Sequence, residues 1–124
     1  MTAHYPGRAA IDTYGAGGFG FAGMSHRGSI FALPSGIYAW NVDPAAMTPA
    51  DFAMAITERA EIDLLLIGMG PDMARPPKPV RAALEAAGIM YDPMATGHAV
   101  STYNLLLEEK RRVAAALVGV DFRA

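Results

Sequence analysis

The residues best placed to hold a small molecule lie where the apolar run Asp63-Leu64-Leu65-Leu66-Ile67 ends in Gly68-Met69-Gly70-Pro71. Glycines at the carboxyl end of a buried parallel strand let an anion approach backbone N–H groups. Ligands of open α/β sheets bind in such crevices. Trp40, Tyr103, Asn104 and Arg75 are candidates for its walls, with Met69 and Thr96 beside the glycines and Arg75 placed to meet an anionic group. The glycine fingerprint is incomplete, however: position 73 is Met and no glycine recurs before Gly88. A tight structural turn is therefore the simpler reading, and Tyr103 serves equally well as a core residue with its hydroxyl at the rim. Gly15-Ala16-Gly17-Gly18 reads as a bulge or hairpin connection rather than a phosphate cradle.

Other reactive side chains do not assemble in the sequence. His98 lies between Thr96 and Ser101, but no orienting acid or oxyanion donor accompanies it, so it reads as a solvent-facing helix residue. His4, His26 and His98 are too scattered for metal spacing, and cysteine is absent. No catalytic residue, cofactor or metal is expected. Glu109 and Arg112, three apart, are expected to pair across a helical turn and fix the passage into the final strand. Met69, Met73, Met90 and Met94, near loops, could give an adaptable apolar patch for a partner, or fill the core.

A chain of 124 residues is one domain. With 18% charged residues and a net charge of -2 it has no electrostatic draw towards nucleic acid or an anionic bilayer. The lack of cysteine fits a reducing cytoplasm. The N-terminal residues lack the apolar core of a signal peptide, and no apolar run approaches the ~20 residues of a bilayer span, so no membrane insertion is expected. Residues 1–9, with Pro6 and Gly7, are expected as a flexible tail and residues 10–124 as the domain.

Patterning predicts an early pair of β segments at 11–14 and 19–24. A turn over Ser25-His26-Arg27-Gly28 and a returning strand at 29–34 would then make a hairpin. A strand over 37–42 and a helix opened by Thr48-Pro49-Ala50-Asp51 follow, with Phe52, Ile56 and Ala60 on its buried face. The central strand is expected at 62–68, and a second helix from Pro79 to Gly88 with Val80, Leu84 and Ala87 inward. Next come a strand at 89–92 ended by Pro93 and a helix over 97–110 capped by Thr96, with Val100, Tyr103 and Leu107 buried. Val113-Ala114-Ala115-Ala116-Leu117-Val118 closes the order as a strand, with a prolonged helix as the alternative. Alternating strands and helices of this kind specify an α/β layered domain.

In order along the chain, several motifs resemble the Mth938-like domain family: Ile67-Gly68-Met69-Gly70, Gly88-Ile89, Met94, Thr96, Thr102-Tyr103-Asn104-Leu105-Leu106, Glu109 and Arg112-Val113-Ala114-Ala115-Ala116-Leu117. Mitochondrial complex I assembly factor 3 and the adipogenesis-associated Mth938 domain protein belong to that family. The resemblance implies a three-layer α/β fold with helices on the sheet faces, an N-terminal β-hairpin, and a mixed central sheet whose last strand runs antiparallel to the others. It implies little chemistry. Most members have no established activity, and the mitochondrial member acts through protein contacts. This chain also departs from the family pattern, with Met69 in place of a threonine, Ala95 in place of an acid and Ser101 in place of an arginine. A catalytic role for the two charged positions therefore does not carry over. The expectation is a non-enzymatic interaction or assembly module with a protein partner. The alternative is a binder or enzyme for an anionic or nucleotide-like small molecule at Gly68 to Pro71, and a homodimer through an exposed strand edge is compatible with either.

Overall fold

The four branched residues Leu64 to Ile67 head the strand on which the molecule is built: Leu65, Leu66 and Ile67 are wholly inaccessible to solvent. Burying each such side chain contributes roughly 1.5–3 kcal/mol, and only a strand covered on both faces can bury consecutive residues in this way. The computed structural model describes residues 4–121. Its strands are β1 (Tyr5–Pro6), β2 (Ile11–Gly15), β3 (Gly18–Phe21), β4 (Met24–Arg27), β5 (Ile30–Leu33), β6 (Gly36–Ala39), β7 (Leu64–Gly68), β8 (Tyr91–Met94) and β9 (Val113–Leu117). The helices are α1 (Ala53–Thr57), α2 (Lys78–Ala86) and α3 (Thr96–Glu108), with 3-10 turns at Pro49–Phe52 and Arg59–Glu61 flanking α1.

Six strands form the central sheet in the order β1-β6-β5-β9-β7-β8, and β2-β3-β4 make a separate three-stranded sheet. The period-two alternation of the central strands sorts their side chains into two cores. One face gathers Phe31, Leu33, Leu65, Ile67, Ala114 and Ala116 under Phe52 and Ala55 of the α1 segment and Val80 and Leu84 of α2. The other gathers Ile30, Ala32, Ile37, Leu66, Ala115 and Leu117 under Ala99, Val100 and Tyr103 of α3 and Ile11, Phe19 and Phe21 of the small sheet. The result is the expected mixed, three-layer α/β arrangement.

Several details differ from the expectations. The final strand β9 is not antiparallel to the others: it runs parallel to β7, which is itself parallel to β8. A helical crossover such as α3 returns the chain in the same sense. The opposed strands are β5, antiparallel to β9 and β6, and β1. The segment expected as a turn at 25–28 is strand β4, paired with β3 through Phe21↔Met24 to Gly18↔Arg27. Its turn is Ala22-Gly23, both at positive φ (50° and 75°), the dihedrals of a two-residue hairpin connection. The strand at 30–33 therefore pairs with β6 and β9 instead of closing a hairpin on β3.

Within the segment expected as a tail, Tyr5 and Pro6 instead pair with Ile37 and Gly36 on the sheet edge; residues 1–3 lie outside the described residues. In the first helical segment Ala55 takes the buried place expected of Ala60, because 3-10 turns at both ends shift its faces. Pro93 does not end its strand but lies inside β8. Leu65 and Met69 donate to the carbonyls of Met90 and Met94 (2.9 and 2.8 Å), so the even-numbered residues of β8 face β7 and the imide nitrogen of Pro93 faces the open edge.

Candidate functional site

The structure brings Gly68, Met69, Gly70 and Thr96 together at the carboxyl ends of the parallel strands. Gly68 is opposite Met94 on β8 and Leu117 on β9. A Cβ at Gly68 would lie 3.0 Å from both Cα and Oγ1 of Thr96, so α3 starts against a backbone with no room for a side chain. Ala95, not Thr96, occupies the cap position of α3. The fully buried Thr96 hydroxyl instead spans two strands' extensions, accepting from the Gly70 N–H at 3.0 Å and donating to the Val118 carbonyl at 2.7 Å. The Thr96 N–H donates to the Gly70 carbonyl at 2.8 Å, and the Val118 N–H to that of Gly68 at 2.9 Å. The Gly70 N–H that would have met an anion is thus already bound. This end of the sheet is a closed hydrogen-bonded knot, and the start of α3 is covered as well, since a Cβ at Gly97 would lie 2.5 Å from the Tyr14 hydroxyl oxygen.

The remaining residues expected to wall a crevice here do not converge. Trp40 lies in the core under α1 and α2, its ring 4.7 Å from that of Phe31 and 5.3 Å from that of Phe52, with Nε1 donating to the Asp51 carbonyl at 2.8 Å. Tyr103 lies in the core on the opposite sheet face, where burial pushes its phenol up to about 12. The sequence pattern offers Tyr103 as a core residue but does not give the face that either ring takes. Arg75 is exposed in the loop between β7 and α2.

Asn104 is structural: its Oδ1 accepts from the Ile11 N–H and its Nδ2 donates to the Ile11 carbonyl, both at 2.8 Å. Nor does Arg112 pair with Glu109. Lys110, at φ 61°, turns the chain away from the helix, and Arg112 bonds to Asp63 at 2.9 Å with Glu61 at 3.6 Å. That hydrogen bond and the positive charge of Arg112 hold the Asp63 carboxyl below its ordinary value.

The methionines form no single patch. Met69 and Met94 are half-buried neighbours joined through their backbones at 2.8 Å, whereas Met73 and Met90, about 70% exposed, flank opposite ends of α2. Among the described residues no three His, Asp or Glu side chains form a metal-ligating group. Two features escaped the sequence pattern. His4 and His26 come together, ring centroids 4.6 Å apart, and this follows only from knowing that β1 reaches the edge of the small sheet. A groove of about 430 Å3 crosses that sheet, floored by Gly18 and Gly20 and walled by Thr13, Ser25 and Arg27.

Residues 11–118 match the family model described as a protein of unknown function (DUF498/DUF598). An uncharacterized protein of Rhodobacter capsulatus is 42% identical over 115 residues, 92% of this chain and 87% of that protein. NADH dehydrogenase [ubiquinone] 1 alpha subcomplex assembly factor 3 of mouse is 28% identical over 119 residues, and the chain spans only 64% of its length. A crystal structure described as an outer membrane protein of Bartonella henselae superposes with a TM-score of 0.91 at 48% identity, covering 95% of this chain and all of that one. A solution structure from Bordetella pertussis described as an Mth938-like domain superposes with a TM-score of 0.78 at 23% identity, covering 98% of this chain and 94% of that one, a likeness of fold alone.

Proposed function

The chain belongs to the DUF498/DUF598 family of Mth938-like domains, and from that premise we propose that it acts without catalysis, as an interaction or assembly module that docks to another protein. The observation that carries this reading is the closed knot of Gly68, Gly70, Thr96 and Val118: where a small molecule would bind, the Gly70 N–H and the Thr96 hydroxyl are already paired and α3 starts against Gly68 with no room for a side chain. The relationship to assembly factors such as the mouse protein supports the same reading. A cytoplasmic setting is part of the proposal. It rests on the absence of cysteine and on the finding that no helix among the described residues is long and apolar enough to cross a membrane.

Docking would use exposed loop surface such as Pro71 to Pro77, where Met73 is 71% exposed and Arg75 is exposed too. The test is gentle purification from the native host followed by native and denaturing mass spectrometry. A stoichiometric polypeptide that separates on denaturation is the expected result. A bare monomer, with chemical crosslinking of intact cells also capturing no partner, counts against it. A bound mass of a few hundred daltons would favour the second reading, small-molecule binding. The groove on the small sheet supports that reading better than Gly68 to Pro71 does. A homodimer would appear in the same spectrum as a doubled mass.

A further inference from the structure

We propose that His4 and His26 form a pH-operated latch that holds edge strand β1 on the central sheet and releases it in mildly acidic conditions. The two imidazoles come from different sheets, His4 preceding β1 and His26 lying in β4, and their ring centroids are 4.6 Å apart at a tilt of 42°. What they fasten is small. β1 has two residues, and the segment is tied to its neighbour by the His4 N–H on the Ile37 carbonyl (2.7 Å) and the Gly7 N–H on the Ser35 carbonyl (3.0 Å), with Tyr5 half-buried against the core.

Two neutral rings at this spacing attract, whereas two imidazolium rings repel at close range. Burial and the neighbouring His4 both disfavour the cation at His26, opposed by a hydrogen bond to the Ser29 backbone. Cross-strand pairing places Phe19 and Tyr14 on the same face of the small sheet as His26, while Arg27, next along β4, projects to the other face.

The sign follows from linkage. The closed state holds His26 below its ordinary value of 6.5, so the open state binds more protons, and closure weakens as pH falls through about 6.5. Release uncovers the outer edge of β6, whose carbonyls at Ser35 and Ile37 then become free to accept from another strand. Acid thus converts a covered edge into an open one without disturbing the centre of the sheet.

The test is NMR amide exchange on the intact chain, in the presence of a chelator, comparing about pH 7.5 with about pH 5.5 after correction for intrinsic rates. The opening constants of the His4 and Gly7 amides are expected to rise about fivefold on acidification while those of Leu65 to Ile67 stay constant. His26→Asn is expected to abolish the rise and His4→Gln to reduce it, since the burial of His26 remains when the His4 charge is gone; His4, being exposed, gives a variant that keeps the fold if His26→Asn does not. A flat profile in the parent, a rise shared by Leu65 to Ile67, or a rise undiminished in His4→Gln would overturn the latch.

Discussion

The side-chain amide of Asn104 meets the backbone of Ile11, 93 positions earlier, through two hydrogen bonds of 2.8 Å, one accepted from its N–H and one donated to its carbonyl. An amide side chain carries the same donor and acceptor as a peptide group, so α3 presents β2 with a one-residue imitation of a neighbouring strand. Asn104→Ala leaves both backbone groups of a partly buried strand unpaired. It is expected to lower the free energy of unfolding by about 2 kcal/mol, read as a lower midpoint in urea denaturation at unchanged slope. A loss below about 0.5 kcal/mol would show that water replaces the amide without cost.

Thr96 and its isosteres separate the hydroxyl from the shape of the knot. Thr96→Val keeps the volume but strips the Gly70 N–H of its acceptor and the Val118 carbonyl of a donor, both in a fully buried place. The expected loss is about 2–4 kcal/mol. Thr96→Ser keeps both bonds and is expected to lose only about 1 kcal/mol with its methyl group. Equal losses in the two variants would refute a role for the hydroxyl.

Gly68→Ala places a carbon 3.0 Å from the Thr96 Cα, which is backbone and cannot swing aside. Overpacking of this kind is expected to cost about 1–3 kcal/mol, measurable as a fall in Tm. A neutral outcome would mean that α3 can slide on the strand ends.

These sites show what the sequence could and could not convey. The central strand, α2, α3 and the final strand were legible because each carries its own pattern: four branched residues at Leu64 to Ile67, Pro79 and Gly88 bracketing a helix, and an apolar run at 113–118. What failed were the relations between elements. Tyr103 was legible as a buried residue and Trp40 only as a crevice wall, yet periodicity along one element does not say which sheet face it shares with another. The turn at Ala22-Gly23 was obscured because alanine rarely takes positive φ, so Ser25 to Gly28 offered the stronger turn signal. Glu109 was the acid near Arg112 in sequence, but the chain reverses at Lys110 and brings Asp63 across instead.

The pair of Asp63 and Arg112 gives an acid-side prediction. The hydrogen bond from Arg112 lowers the Asp63 value from 3.8, so the folded state binds fewer protons there than the unfolded one. Its stabilisation is complete above about pH 3.8 and is lost as pH falls through the folded value. Asp63→Asn is therefore expected to be less stable than the parent at neutral pH and to converge with it below that range. The gap should shrink in high salt, because both groups are solvent-exposed. Glu109→Gln is expected to track the parent throughout, and a gap as large as that of Asp63→Asn would restore the pairing expected from spacing.

Pro93 turns its imide nitrogen to the open edge of the central sheet, where an added strand would require a donor. Pro93→Thr supplies that donor. Sedimentation velocity is expected to show self-association that grows with concentration in the variant and exceeds that of the parent, and identical profiles would mean that the edge is guarded by other means.

The order of strands also bears on how the molecule is made. β9 is inserted between β5 and β7, yet among the strands of the described residues it is the last to be synthesised. Until residues 113–117 emerge from the ribosome, the sheet exists as two separate halves, and the buried faces of Phe31, Leu33, Leu65 and Leu66 have nothing between them. The central sheet can therefore be completed only after residues 113–117 have been made. The strand that joins the two halves is alanine-rich and buried along its whole length, so its small side chains let the layers on both faces approach the sheet closely.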